Sequence, residues 1–330
     1  MKPKHDNVWK RAALLIVLGL MILPAAVQAL PVQTVVSFNA ANLETPESLV
    51  FDRAGNLYIS LALTGEIRKI APDGTQSTFA QLPLGAPLTP CGALIAIMGG
   101  LALDEHGNLY VAVGSCDLAN RGIWKVSASG QMQILGHLPI AALPNGVALH
   151  HGQLYVADSA LGRVWTLPVE GGTPTVWIQD DLLFAPPGSP FPGANGLKVY
   201  HGEVYVSNSG AGTIVAIPFL HNDLAGAPRI HAHVPAPQGC DDFSFDVHGS
   251  LYCTTDPFRT LIRIDPDGSS EILLTAADGL DGPTATAFGI HGNDRFNLYI
   301  TNAAFPFFSD THQPSLMRLR LDVPGAPLSH

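Results

Sequence analysis

The chain has 330 residues, 47% of them apolar and only 13% charged, with 33 Gly and 27 Pro. Few charges and many turn formers exclude a coiled coil, a helical bundle and an acidic disordered chain. A net charge of −10 argues against a nucleic-acid binder, which needs a basic face to displace counterions from phosphates.

Lys2, Lys4, Lys10 and Arg11 precede an uncharged apolar run from Ala12 to Val27, which closes in Val27-Gln28-Ala29. A basic start, an apolar run shorter than the roughly 20 residues of a bilayer span and small residues at the end predict a signal peptide over 1–29. The mature chain, 30–330, is then expected in the periplasm or secreted, as a monomer with no membrane segment. The next strand signal, VQTVVSF (32–38), has no repeat unit of its own.

From residue 50 onward one pattern recurs: an apolar strand, a turn with Gly, then a strand centred on Tyr. The copies are VFDRAGNLYIS (50–60), LALDEHGNLYVAV (101–113), VALHHGQLYVAD (147–158), LKVYHGEVYVSN (197–208), FDVHGSLYCTT (245–255) and FGIHGNDRFNLYIT (288–301). Their tyrosines, Tyr58, Tyr110, Tyr155, Tyr205, Tyr252 and Tyr299, lie 45 to 52 residues apart. A period near 40–50 built from short strands predicts a β-propeller. A third strand follows each copy (EIRKI, GIWKV, RVWTL, TIVAI, LIRI and LMRLRL), then turns such as Pro72-Asp73-Gly74 and Pro266-Asp267-Gly268, then a fourth strand. The fold class is therefore all-β: a six-bladed propeller with four antiparallel strands per blade. The last unit has only three strands, so 32–38 is expected to supply its outer strand and close the ring.

His106, His151, His201, His248 and His291 each precede a Gly in the first turn of a blade. A position that repeats in five blades belongs to the turn. These histidines are expected on the face opposite the inner-strand starts. Of the four cysteines, Cys91–Cys116 and Cys240–Cys253 are the pairs the topology brings nearest, and exported proteins can hold disulfides. No C-x-x-C spacing suggests zinc, and no G-x-S-x-G, H-E-x-x-H or P-loop sequence is present.

Residues just ahead of each inner strand should converge at one mouth of the central channel. They are Glu47 (PESLVFD), Asn145 (PNGVALH), Asn195 (ANGLKVY) and Asp241 (CDDFSFD). Two carboxylates and two carboxamide oxygens suit a hard divalent cation, Ca²⁺ before Zn²⁺. Each residue alone reads first as a turn or a solvated group; it is the set of four in different blades that points to a metal.

With these pieces, and with ThrAlaThrAlaPheGly (284–289) opening the sixth unit, the chain resembles the senescence-marker-protein/gluconolactonase family that includes regucalcin, and more distantly the paraoxonases. The resemblance implies a six-bladed propeller with Glu47, Asn145, Asn195 and Asp241 as metal ligands and Asp241 as general base. Asp242, where the gluconolactonase pattern has Gly, matches a second polar residue of the paraoxonases. It is a further candidate for catalysis or ligation. Two departures bear on the substrate. Leu143 stands where sugar-lactone members carry Arg, and Gly99-Gly100 opens the second unit without the histidines of paraoxonase chemistry.

The implied reaction is metal-assisted hydrolysis of a small-molecule lactone or similar ester. The alternative is a non-catalytic propeller, akin to NHL-repeat modules, that binds a protein or small ligand. A condensing enzyme of the strictosidine-synthase type fits the ligand set less well. Three apolar stretches (82–98, 182–193 and 303–308) are expected on the metal face, where they either form a rim for a hydrophobic lactone or pack on neighbouring blades.

Overall fold

The computed structural model describes residues 32–91, 94–235, 237 and 239–327; the predicted signal peptide (1–29) lies outside them. Six four-stranded antiparallel sheets follow one another in chain order. Their inner strands are Pro46–Phe51, Ile97–Leu103, Pro144–His150, Ala194–Tyr200, Phe243–Phe245 and Pro283–Phe288. In blade 6 the outer strand is Val32–Ser37, paired antiparallel with Ser315–Arg320. The two ends of the chain thus close the ring, as expected. Among the described residues no helix is long and apolar enough to cross a membrane.

The repeated tyrosine has a physical role in most blades. In blade 1, Asp52 accepts hydrogen bonds from the backbone N–H of Ala54 and Asn56, while its second oxygen accepts from the Tyr58 hydroxyl at 3.2 Å. Asp104 with Tyr110 and Asp246 with Tyr252 repeat the arrangement, and Asp294 accepts from Tyr299 at 2.8 Å. Each carboxylate closes the first turn and each ring fills the space between blades. The backbone N–H groups of His106 and His248 donate to those same aspartates, so these two histidines are turn residues.

At the axis the inner strands approach so closely that side chains must be absent. A Cβ on Gly146 would lie 2.5 Å from the Asn195 carbonyl, and one on Gly196 would lie 2.7 Å from that of Asp241. The glycine of each Asn-Gly pair therefore serves strand-to-strand contact, leaving its Asn at the mouth. Hydroxyls from the second strands stitch neighbouring blades there. Ser60 donates to the Gly99 carbonyl at 2.9 Å, Ser207 to that of Asp241 at 2.6 Å and Thr254 to that of Thr284 at 2.8 Å.

Cys91 and Cys116 form a disulfide with their Cα atoms 5.2 Å apart. The second expected pair is not formed: Cys240 and Cys253 are buried thiols. Strand pairing in blade 5 places Phe243, not Cys240, opposite Cys253. The Cys240 thiol is in hydrogen-bond contact with the Cys253 thiol and also donates to the Asp242 carbonyl, at 3.5 Å. Burial, reinforced by Cys253 and the aspartates beside it, pushes the Cys240 thiol well above its ordinary pKa.

Candidate metal centre and active site

The residues that open the inner strands come together. Glu47, Asn145, Asp241 and Asp242 wall one cavity of about 10 Å³, together with Ser48, Gly100, Gly146, Gly196, Lys198 and Thr284. That is roughly the room of one water or one small ion. Asn195 joins them by donating from Nδ2 to Asp241 Oδ1 at 2.6 Å and to the Ser209 hydroxyl at 3.0 Å. Residues from four blades, up to 194 positions apart between Glu47 and Asp241, are thus brought to one cavity or to its wall.

Two buried oxygens of this group, Glu47 Oε2 and Asn195 Oδ1, have no hydrogen-bond partner. A buried acceptor left unpaired costs about 1–3 kcal/mol, and more when it is charged. Burial first, then the charges of Asp256 and Asp242, push the Glu47 carboxyl up from 4.5 to about 8. Asp241 is raised well above its usual range by burial, Glu47, Asp256 and Asp242, opposed by its hydrogen bond from Asn195. An unbalanced nest of acids with orphaned oxygens is a poor resting place for protons alone. A divalent cation fits it: two anionic oxygens and two amide oxygens supply a hard donor set, and the charge balances.

Asp242 is tied differently. Lys198 Nζ donates to both of its oxygens, at 2.7 and 2.6 Å. Lys198 also lines a wider funnel of about 590 Å³ that runs toward the opposite face between inner-strand residues such as Leu49, Leu101, Val147 and Phe245. The Lys198–Asp242 pair therefore separates the small cavity from that funnel.

The sequence reading missed Asp256. It follows the second strand of blade 5, at the position that Ser159 and Ser209 hold in blades 3 and 4. Its Oδ1 is buried without a partner, and burial and Asp281 push its carboxyl up from 3.8 to about 7, against the pull of Arg259. Blade 6 offers no free donor of its own here, because the Thr284 hydroxyl is taken by the Pro46 carbonyl and Thr301.

The apolar stretches divide between the two expected outcomes. Phe305 packs with Ala62, Leu63 and Ala303, against Ile97 and Leu43. Phe307 and Phe308 remain about half exposed, and Phe191 meets Phe258 edge-on at 5.5 Å.

No protein-family model matches the chain, and no curated protein matches it in sequence. Solved structures match it over nearly their whole length. A calcium-binding regucalcin of Agrobacterium tumefaciens aligns with TM-score 0.65 and 15% identity, over 92% of this chain and 98% of that one. A luciferin-regenerating enzyme gives 0.65 and 15%, over 91% and 98%. A gluconolactonase of Xanthomonas campestris gives 0.64 and 18%, over 89% of each chain. The structural neighbours are thus regucalcin- and gluconolactonase-like six-bladed propellers, and at this identity the likeness establishes the fold.

Proposed function

We propose that the chain is an exported, monomeric, metal-dependent hydrolase that opens a lactone or a similar small ester at the mouth of its central channel. The observation that carries this reading is the convergence of Glu47, Asn145, Asn195 and Asp241 with two of their oxygens buried and unpaired. Neighbours named regucalcin and gluconolactonase lend support. Those four residues would hold the cation, Ca²⁺ by donor type. Bound there, it would supply Lewis-acid polarisation of the ester carbonyl.

The protein's own groups do the rest. Asp241 would take the proton from the attacking water and return it to the leaving oxygen. Asn195 holds that carboxylate in place through its 2.6 Å hydrogen bond. Asp242 is the second candidate base, with Lys198 now occupying both of its oxygens. Leu143 in place of an arginine removes a donor for sugar hydroxyls, and the exposed Phe307 and Phe308 favour an apolar acyl or ring substituent.

A graded panel of aliphatic and sugar lactones, assayed with Ca²⁺ and with chelator, tests this. Turnover is expected on aliphatic lactones, lost with chelator and restored by Ca²⁺. Turnover that survives chelation contradicts the metal role. No turnover on any member, with metal bound, favours the non-catalytic binding propeller.

A further inference from the structure

Of the five turn histidines, His151 has surroundings that the repeat does not explain. The connection between the third and outer strands is five residues in blades 1, 2 and 5 and six in blade 3, but ten (219–228) in blade 4. This extra length folds over the neighbouring blade 3. Phe219 stacks on His150 at 4.3 Å and meets Tyr155 edge-on at 5.3 Å. The Trp177 indole N–H donates to the Asp223 carbonyl at 2.8 Å, fixing the tip of the insertion.

The result is that Asp223 stands beside two imidazoles. His151 Nδ1 lies 3.3 and 3.4 Å from the two Asp223 oxygens. Both distances are longer than an optimal hydrogen bond, and neither oxygen is favoured. The His150 and His151 rings stack with centroids 3.8 Å apart. One nitrogen of each ring and one carboxylate oxygen all fall within 4.8 Å of one another.

We propose that His150, His151 and Asp223 form a second metal site, specific for Zn²⁺ or a similar borderline cation, on the face opposite the channel mouth. Two imidazole nitrogens and one carboxylate oxygen are the donors such ions prefer, whereas Ca²⁺ wants more oxygens. Ligand bonds near 2.0–2.2 Å set tetrahedral edges of about 3.3 Å. The His151–Asp223 edge already has that length. His150 has to close by no more than about 1.5 Å, the difference from the 4.8 Å within which all three donors lie. The His151 side chain is 66% exposed, so the fourth position opens to water. A bound ion would staple the insertion of blade 4 to the first turn of blade 3, stabilising the folded chain in proportion to its occupancy.

The test is Zn²⁺ titration by calorimetry into the full mature chain, chelator-treated and then saturated with Ca²⁺, with melting followed in parallel. One equivalent of Zn²⁺ is expected to bind and to raise the melting temperature. His151→Ala and Asp223→Asn should each weaken binding at least tenfold and abolish the melting shift, with metal-free melting unchanged. His201→Ala, the same turn position in blade 4, and Glu47→Gln, at the mouth, should both leave binding intact. No Zn²⁺ binding to the wild-type chain overturns the proposal. So does binding that survives both His151→Ala and Asp223→Asn, or that is lost with Glu47→Gln.

Discussion

Asp241→Asn is expected to reduce kcat/KM on the best lactone by about 10²–10⁴-fold, the range associated with losing a positioned general base. Removing an anionic metal donor adds to that loss. The substitution keeps the side-chain volume, and the backbone there is held independently. The Asp241 N–H donates to the Thr254 carbonyl at 2.8 Å, and the Asp241 carbonyl accepts from Gly196 and Ser207. The variant should therefore fold. Asp242→Asn should keep more activity, because its carboxylate is bound to Lys198 at 2.6 Å and is less free to accept a proton. A steady-state comparison of the two variants in excess Ca²⁺ decides the matter. If Asp241→Asn retained full activity, Asp241 would not be the base; if Asp242→Asn fell further, the roles would be exchanged.

The second large effect is on stability. In the folded, metal-free chain the Glu47 carboxyl titrates near 8 and Asp256 near 7, against 4.5 and 3.8 for their ordinary values. The folded state therefore binds more protons than the unfolded state between those limits. Through these two groups stability falls as pH rises from about 4 to about 8 and levels off above, while His150 and His231, lowered by burial, act in the opposite sense below 6.5. The expected loss is on the order of several kcal/mol. Ca²⁺ should reverse it, with a larger rise in melting temperature at pH 8 than at pH 5, because carboxylates must lose their protons to ligate. Glu47→Gln should flatten the metal-free pH profile. Melting curves from pH 4 to 9, with chelator and with Ca²⁺, measure all three effects. A metal-free profile that rises through this window would contradict the burial of these acids.

The propeller was legible because its repeat is physical. In four blades the Tyr and an Asp close the first turn together, and the Tyr itself recurs in all six. The convergence of Glu47, Asn145, Asn195 and Asp241 was legible for the same reason: the first three are second residues of inner strands, Asp241 stands just ahead of one, and inner strands meet at the axis. The glycine after each Asn reads in sequence as a turn residue, yet it is there for the backbone of the next blade, a contact only the closed ring creates.

Other features depended on contacts between units. Asp256 lies in a loop outside the repeated segments, and its place beside Gly282, where an added Cβ would come within 3.0 Å of Oδ1, reveals that it faces the start of blade 6. Lys198 sits on an apolar-patterned inner strand, where nothing in the sequence names Asp242, 44 positions on, as its partner. In blade 5 the two expected cysteines do meet, but as buried thiols in hydrogen-bond contact rather than as a disulfide.

The most direct measurement is Ca²⁺ titration by calorimetry of the chelator-treated mature chain beside its Glu47→Gln/Asp241→Asn double variant. One equivalent bound by the wild-type chain and none by the variant is the predicted result. A wild-type chain that takes up no divalent cation, or a variant that binds it equally well, would contradict a metal centre at the channel mouth.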